Sequence, residues 1–85
     1  MNQAIQFPDR EEWVEAKAAI CFPALVHGMQ FTCAISGASL ARRFGGDTPR
    51  EWMAAFQANR WDLEDEAEQM IAHQQDDDQG WFWLS

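Results

Sequence analysis

The side chains best suited to zinc binding or nucleophilic catalysis are those of Cys21, His27, Cys33 and His73. A structural zinc site needs four such ligands in paired spacings, and these four do not fall in pairs. A cysteine nucleophile needs a nearby histidine and a lowered thiol pKa, whereas the strand interior predicted for Cys33 favours the neutral thiol. We therefore predict no metal, no cofactor and no catalytic residue, and we expect a protein that is not an enzyme.

The formal net charge of −8 comes from one stretch, residues 62–78, which holds eight acidic residues and no Lys or Arg. Fourteen acids minus these eight leaves six, which the six basic residues cancel. Such a stretch repels phosphate backbones and attracts cations or a basic partner. Its Asp76-Asp77-Asp78 run lacks the Gly and the bidentate Glu of a loop that surrounds Ca²⁺, so a solvated loop is the better interpretation.

A second group of candidate side chains is basic, and Arg42, Arg43, Arg50 and Arg60 can form a small patch. Four arginines against fourteen acids disfavour direct nucleic-acid binding, because its affinity comes from neutralising several phosphates. Gly45-Gly46 lacks the Lys-Ser/Thr that follows in a phosphate-binding loop and fits the end of a helix better.

Length and composition indicate a single domain over residues 1–85 with an aromatic core, since 47% of the residues are apolar and five are Trp and six Phe. No window approaches the roughly 20 apolar residues that span a bilayer, and residues 1–7 lack the basic and apolar regions of a leader. We therefore expect a cytoplasmic protein without membrane contact, whose thiols stay reduced.

His27-Gly28 lies between two apolar runs and predicts a β-hairpin with a two-residue loop. This loop sets Val26 opposite Met29 and Phe22 opposite Cys33, so that one face of both strands is apolar. Cys21 and Cys33 then point to opposite faces, which excludes a disulfide between them. Pro23 falls in a non-hydrogen-bonded pair, so the outer side of its strand should be an open edge or a bulge there.

Before the hairpin, Ile5 and Phe7 predict a short strand, and the alternation of apolar residues from Val14 to Val26 predicts a long one. Residues 9–12 can instead cap a single helical turn, and we leave that alternative open.

After the hairpin, Ser36 and Thr48 are predicted helix caps. An apolar stripe from Trp52 to Ile71 marks the helical region, either kinked or split into two helices near Arg60. Gly80 opens a last strand that is apolar on both faces.

Together these elements predict an α+β fold: an antiparallel sheet of three to four strands with a β-hairpin, and helices packed on one face, in the rough order β-β-β-α-α-β. The helices should cover the face with Ile20, Phe22, Ala24, Val26, Met29, Phe31, Cys33 and Ile35. The reverse face should carry Cys21, Pro23, Leu25, Thr32, Ala34 and one side of the last strand.

The whole chain resembles the family called domain of unknown function 1488. The resemblance is carried by Phe7-Pro8-Asp9, Phe22-Pro23-Ala24-Leu25-Val26, Cys33-Ala34-Ile35-Ser36-Gly37, Gly46-Asp47-Thr48-Pro49, Arg60-Trp61-Asp62-Leu63-Glu64 and Asp77-Asp78-Gln79-Gly80-Trp81. It implies a small bacterial α+β domain and no activity or site residues. Some relatives are labelled regulators of the shikimate pathway, which implies a transcriptional or metabolic regulator as an alternative.

The apolar reverse face favours a non-enzymatic interaction or accessory protein that uses this face for self-association or for docking a protein partner. The predicted interaction residues are Cys21, Pro23, Leu25, Trp81 and Trp83. The alternative is a regulator that contacts nucleic acid through the arginine patch. A small enzyme or ligand carrier would need a cleft with convergent polar groups, and the sequence displays none.

Overall fold

The computed structural model describes residues 5–85. Its elements are β1 (Ile5–Gln6), β2 (Glu12–Val14), a 3₁₀ turn (Glu15–Lys17), β3 (Ala19–Val26), β4 (Met29–Ser36), α1 (Gly37–Phe44), α2 (Pro49–Ala58), α3 (Arg60–Ala72) and β5 (Trp81–Leu84). The predicted α+β class is confirmed. The helical region consists of two consecutive helices, α2 and α3, with Asn59 between them.

The central hairpin of β3 and β4 has the predicted two-residue loop. His27 and Gly28 both have positive φ, at 53° and 82°, as a loop of this length requires. Val26 lies opposite Met29 and Phe22 opposite Cys33, so the predicted register is confirmed. Both cysteines are free thiols, as expected for side chains that leave the sheet on opposite faces.

The predicted long strand from Val14 to Val26 is wrong, because the chain reverses within it. Residues Glu15–Lys17 form a 3₁₀ turn, and Ala18 takes a positive φ of 51° that turns β2 back along β3. Ala16 and Ala18 continue the apolar alternation in sequence but bring little side chain to bury. Of the alternatives left open for residues 9–12, the helical turn does not form, because Glu12 already pairs with Cys21 at the start of β2.

Pro23 lies in a gap in the outer edge of β3, as its missing amide proton predicted. On that side, β1 pairs with Leu25 and Val26, and β2 pairs with residues 19–21, which leaves Pro23 between them. On the other side it lies opposite Thr32 of β4.

The sheet differs from the predicted antiparallel sheet of three to four strands in two respects, since the described residues form five strands and one strand pair is parallel. The order is β1-β3-β4-β5, with β2 also paired to β3. Strand β5 runs parallel to β4, with Thr32 opposite Trp81 and Ile35 opposite Leu84. The three helices between β4 and β5 provide the long crossover that a parallel pair needs.

Both predicted helix caps are present. The Ser36 hydroxyl accepts a hydrogen bond from the amide of Ser39 at 3.0 Å, and the Thr48 hydroxyl accepts one from the amide of Glu51 at 3.2 Å. The carboxylate of Glu51 accepts from the amide of Asp47 at 2.6 Å, one residue before the cap. These bonds satisfy amides that the first turn of a helix leaves free.

The helices cover one face of the sheet, as predicted, and the core lies between the two layers. Its buried side chains are Ile20, Phe22, Ala24, Cys33 and Ile35 from the hairpin, Leu40, Phe56, Leu63 and Ala67 from the helices, and Phe82 and Leu84 from β5. Met29 was predicted to be covered, but it is 59% exposed. It adjoins the loop at the outer end of the hairpin, beyond the buried cluster.

Gly37, the first residue of α1, lies beneath a pair of tryptophans. The rings of Trp13 and Trp52 are 5.6 Å apart. A Cβ atom on Gly37 would lie 2.6 Å from the Trp52 ring and 3.2 Å from the Trp13 ring. The absence of a side chain therefore lets Trp13 of β2 and Trp52 of α2 meet over the start of α1.

We expect Gly37→Ala to lower the free energy of unfolding by about 1–3 kcal/mol through overpacking, although alanine favours helices. Urea denaturation followed by circular dichroism measures this change. In a double-mutant cycle, Trp52→Leu should remove most of the penalty of the alanine. An additive double variant would show that the Trp52 ring does not constrain this position.

Candidate functional site

The reverse face of the sheet brings together the side chains predicted to form an interaction site. Strand pairing aligns β3, β4 and β5 so that the rows at residues 32–35 of β4 cross all three strands. One row is Pro23, Thr32 and Trp81, and the next is Cys21, Ala34 and Trp83. Leu25 lies one row further out, between Gln6 and Gln30. We keep the name reverse face for this side of the sheet, and its larger side chains are Pro23, Leu25, Thr32, Trp81 and Trp83.

Trp81 and Trp83 form the side of the reverse face that lies on the edge strand β5. As alternate residues of β5, they point the same way, and their rings stack 6.0 Å apart at an angle of 23°. The ammonium group of Lys17 lies 4.9 Å from the centre of the Trp81 ring, at cation–π distance. Both tryptophans are half-buried, so part of each ring remains open to solvent.

Asp77 fixes the entry of the chain into β5. One oxygen of its carboxylate accepts hydrogen bonds from the amides of Gln79 and Trp81, at 2.9 and 2.8 Å. The other accepts from the indole N–H of Trp83 at 3.1 Å. The hydrogen bond from the Trp81 amide does most to lower the pKa of Asp77. Since this pKa is lowered on folding, the stabilisation is present above the ordinary carboxyl pKa and is lost as the pH falls through the lower one.

Cys21 lies on the predicted face but offers little surface for contact, since it is only 7% exposed. It forms a small cluster with Ala19 and Ala34, and Val14, Trp81 and Trp83 pack against this cluster. Burial is the main cause that raises the pKa of the Cys21 thiol. The contact surface therefore consists of the larger side chains around Cys21.

A shallow hollow of about 300 Å³ opens on the reverse face where β3 is unpaired next to Pro23. It mixes apolar and polar residues and contains charges of both signs. Its lining residues are Arg10, Glu12, Cys21, Phe22, Pro23, Gln30 and Thr32.

Two of the four arginines in the predicted basic patch are held by carboxylates. Both guanidinium nitrogens of Arg43 bond to Glu66, at 2.9 and 2.5 Å. Arg60 forms ion pairs with Asp9 at 3.5 Å, with Glu64 at 3.4 Å and with Glu11. These pairs occupy much of the positive charge that a phosphate backbone would need.

The Arg60 cluster shifts the pKa values of its two buried carboxylates in opposite directions. Burial raises the pKa of Glu64, and the hydrogen bond from Arg60 only partly offsets this. For Glu11, burial acts in the same direction, but hydrogen bonds, that from Arg60 first among them, outweigh it and hold the pKa below its ordinary value. The cluster ties the segment before β2 to the junction of α2 and α3.

The predicted metal-ligand candidates remain apart. Within residues 5–85, no three side chains of the types His, Cys, Asp and Glu converge on one point. His27 lies in the hairpin loop, and Nδ1 of His73 is 2.8 Å from the carbonyl oxygen of Gln69.

Among residues 5–85, none of the helices has the length and the apolar composition that crossing a membrane requires.

One residue of the site, Asp77, does not stand out in the sequence. The acidic run predicts a solvated loop there, whereas the Asp77 carboxylate accepts hydrogen bonds from the Trp81 amide and the Trp83 indole. Its position four residues before Trp81, at the start of the last strand, is the signal that could have identified it.

Comparisons with known proteins agree with the resemblance found in the sequence. The model of the family described as "Protein of unknown function (DUF1488)" matches residues 5–84. Uncharacterized protein YrdB of Escherichia coli (strain K12) is 70% identical over 84 residues, 99% of each chain. Its counterpart in Shigella flexneri is 69% identical over 84 residues, again 99% of each chain.

A solved structure shares this fold. The crystal structure of a DUF1488-family protein of unknown function from Shewanella loihica PV-4 matches with a TM-score of 0.93 and 29% identity. The match covers 99% of this chain and 94% of that one.

We expect both thiols to resist iodoacetamide in the folded protein, because the reagent needs an accessible thiolate. Burial raises the pKa of Cys33 to about 12, and Cys33 is fully buried. Mass spectrometry should find alkylation only after unfolding in guanidinium. Rapid alkylation of Cys33 in the folded protein would show that this thiol is not buried between the sheet and the helices.

We expect Asp77→Ala to lower the melting temperature and to shift the tryptophan fluorescence, because three hydrogen bonds to the start of β5 are lost. Asp76→Ala removes the same charge from the neighbouring residue, which is also exposed, and should change neither property. Equal effects of the two substitutions would show that the charge matters and the hydrogen bonds do not.

Proposed function

The chain belongs to the DUF1488 family of proteins of unknown function, and on this basis we propose that it is a non-enzymatic interaction protein that self-associates through its reverse face. Two copies pack sheet against sheet, with the helices on the outside. The observation that carries this proposal is the stacked, partly exposed pair Trp81 and Trp83 on the edge strand of a sheet face that also presents Pro23 and Leu25.

The composition of the reverse face fits a protein contact. Tryptophan is enriched at the centre of interfaces because it offers a large rigid area at low entropic cost. Leu25 and Pro23 add half-buried apolar surface on the neighbouring strand. Sheets that pack face to face lie about 10 Å apart, a distance that side chains of this size fill from both sides.

The distribution of charge favours a second copy as the partner. Around the reverse face, Arg10 and Lys17 are basic and Glu12 and Asp77 acidic, so their charges cancel. The acidic helix α3 packs on the other face of the sheet. Back-to-back packing therefore separates the two acidic helices by both sheets, which minimises repulsion between two chains of net charge −8.

The polar groups near the reverse face support a binding role better than a catalytic one. The carboxylate of Asp77 is occupied by three hydrogen bonds, and the Cys21 thiol is buried. A nucleophile or a general base needs a free reacting group within reach of a substrate.

Static light scattering at rising concentration tests the proposal, and we expect twice the mass of the single chain. Thr32→Glu should return the protein to one copy, because burying an unpaired carboxylate costs about 3 kcal/mol or more, roughly a hundredfold in the dissociation constant. Gln69→Glu adds the same charge on exposed α3 and should leave the dimer intact.

Circular dichroism melting should show that the Thr32→Glu chain remains folded, and Leu25→Glu serves as a second disrupting substitution. A single-copy mass for the unaltered protein at every concentration would refute self-association. A dimer that survives both substitutions would place the contact on another surface.

A further inference from the structure

Trp61 is the most exposed large apolar side chain among residues 5–85, with 84% of its surface open to solvent. It lies in the first turn of α3, outside the stripe that packs on the sheet. Beside it, at the junction of α2 and α3, is an open hollow of about 390 Å³ lined by Gln57, Ala58, Asn59, Arg60, Trp61 and Asp62. A tryptophan beside a hollow can anchor a protein contact, because tryptophan is enriched among the residues that carry binding energy at interfaces.

Carboxylates surround Trp61 along the outer side of α3. Asp65 and Glu68 follow it at spacings of four and seven, which places all three on one helical face, and Asp62 adjoins it. Among the described residues, no Lys or Arg lies within ion-pair distance of these three acids, although the charge of Arg43 acts on Asp62 from further away. Glu64 and Glu66, in contrast, are paired with arginines. We use the name Trp61 surface for Trp61, Asp62, Asp65 and Glu68.

We propose that the Trp61 surface binds a segment rich in Lys and Arg from a partner protein. The indole face attracts a cationic group, and the neighbouring carboxylates pair with further cations on the same segment. Arg60, the basic residue lining the hollow, is held by Asp9, Glu11 and Glu64, so little of its charge opposes the approach of a cation.

Charge favours a basic segment over a second copy of this chain or a nucleic acid as the partner of the Trp61 surface. A second copy would bring an identical acidic helix against α3, and the phosphates of a nucleic acid would meet the same repulsion. The surface lies on the helical layer, opposite the reverse face, so it stays open whether or not two copies pack through their sheets. The inference is therefore independent of the proposed self-association.

Fluorescence anisotropy with a labelled peptide of alternating Lys, Arg and Ala tests this binding at low salt. We expect saturable binding that weakens as salt is added, and none to a peptide with Glu in place of each Lys and Arg. Trp61→Ala should weaken binding roughly fivefold or more, and Trp61→Phe should weaken it less, because tryptophan has the strongest cation–π attraction. The melting temperature should hardly change, because the side chain is exposed.

A matched pair of double variants separates this site from diffuse attraction to an acidic protein. Asp62→Asn with Asp65→Asn removes two charges from the Trp61 surface, and Asp76→Asn with Asp78→Asn removes two from the loop before β5. We expect the first pair to weaken binding several times more than the second. Equal losses from both pairs, an unchanged affinity in Trp61→Ala, or no binding of the cationic peptide would each overturn the proposal.

Discussion

The two-residue reversal at His27 and Gly28 sets the register of β4 against β3 and thereby decides which side chains enter the core. A loop of one more or one fewer residue would move every side chain of β4 to the other side of the sheet. The observed register instead sends Cys33 and Ile35 into the helical core and Thr32 and Ala34 to the reverse face. The hairpin thus separates the part of the molecule that stabilises the fold from the part available for contact.

Features encoded by neighbouring residues could be predicted from the sequence. The hairpin loop, the caps at Ser36 and Thr48, and the placement of Trp81 and Trp83 on one side of β5 all follow from short-range chemistry. The direction of β5 could not be predicted in this way, because it depends on where three helices return the chain. The reversal at Ala18 was missed because small apolar residues continue a strand pattern without needing burial.

The candidate site shows the same division between local and distant effects. Alternation along β3 and β5 identified the residues of the reverse face, but it did not show that tryptophans would cover the Cys21 thiol. The sequence could not show that two arginines of the basic patch are paired, since Glu66 is 23 residues from Arg43 and Glu11 is 49 from Arg60. Charge counts therefore gave the sign of the surface, and only the packing showed which charges are neutralised.

The parallel pairing of β4 with β5 has a consequence for the order in which the molecule assembles. Thr32 and Trp81 are neighbours in the sheet, yet all three helices lie between them in the chain. Contacts of such long sequence separation carry a large loop-closure cost and form slowly. A nascent chain can close its hairpin early, whereas it completes the tryptophan-bearing side of the sheet only after all three helices have been synthesised.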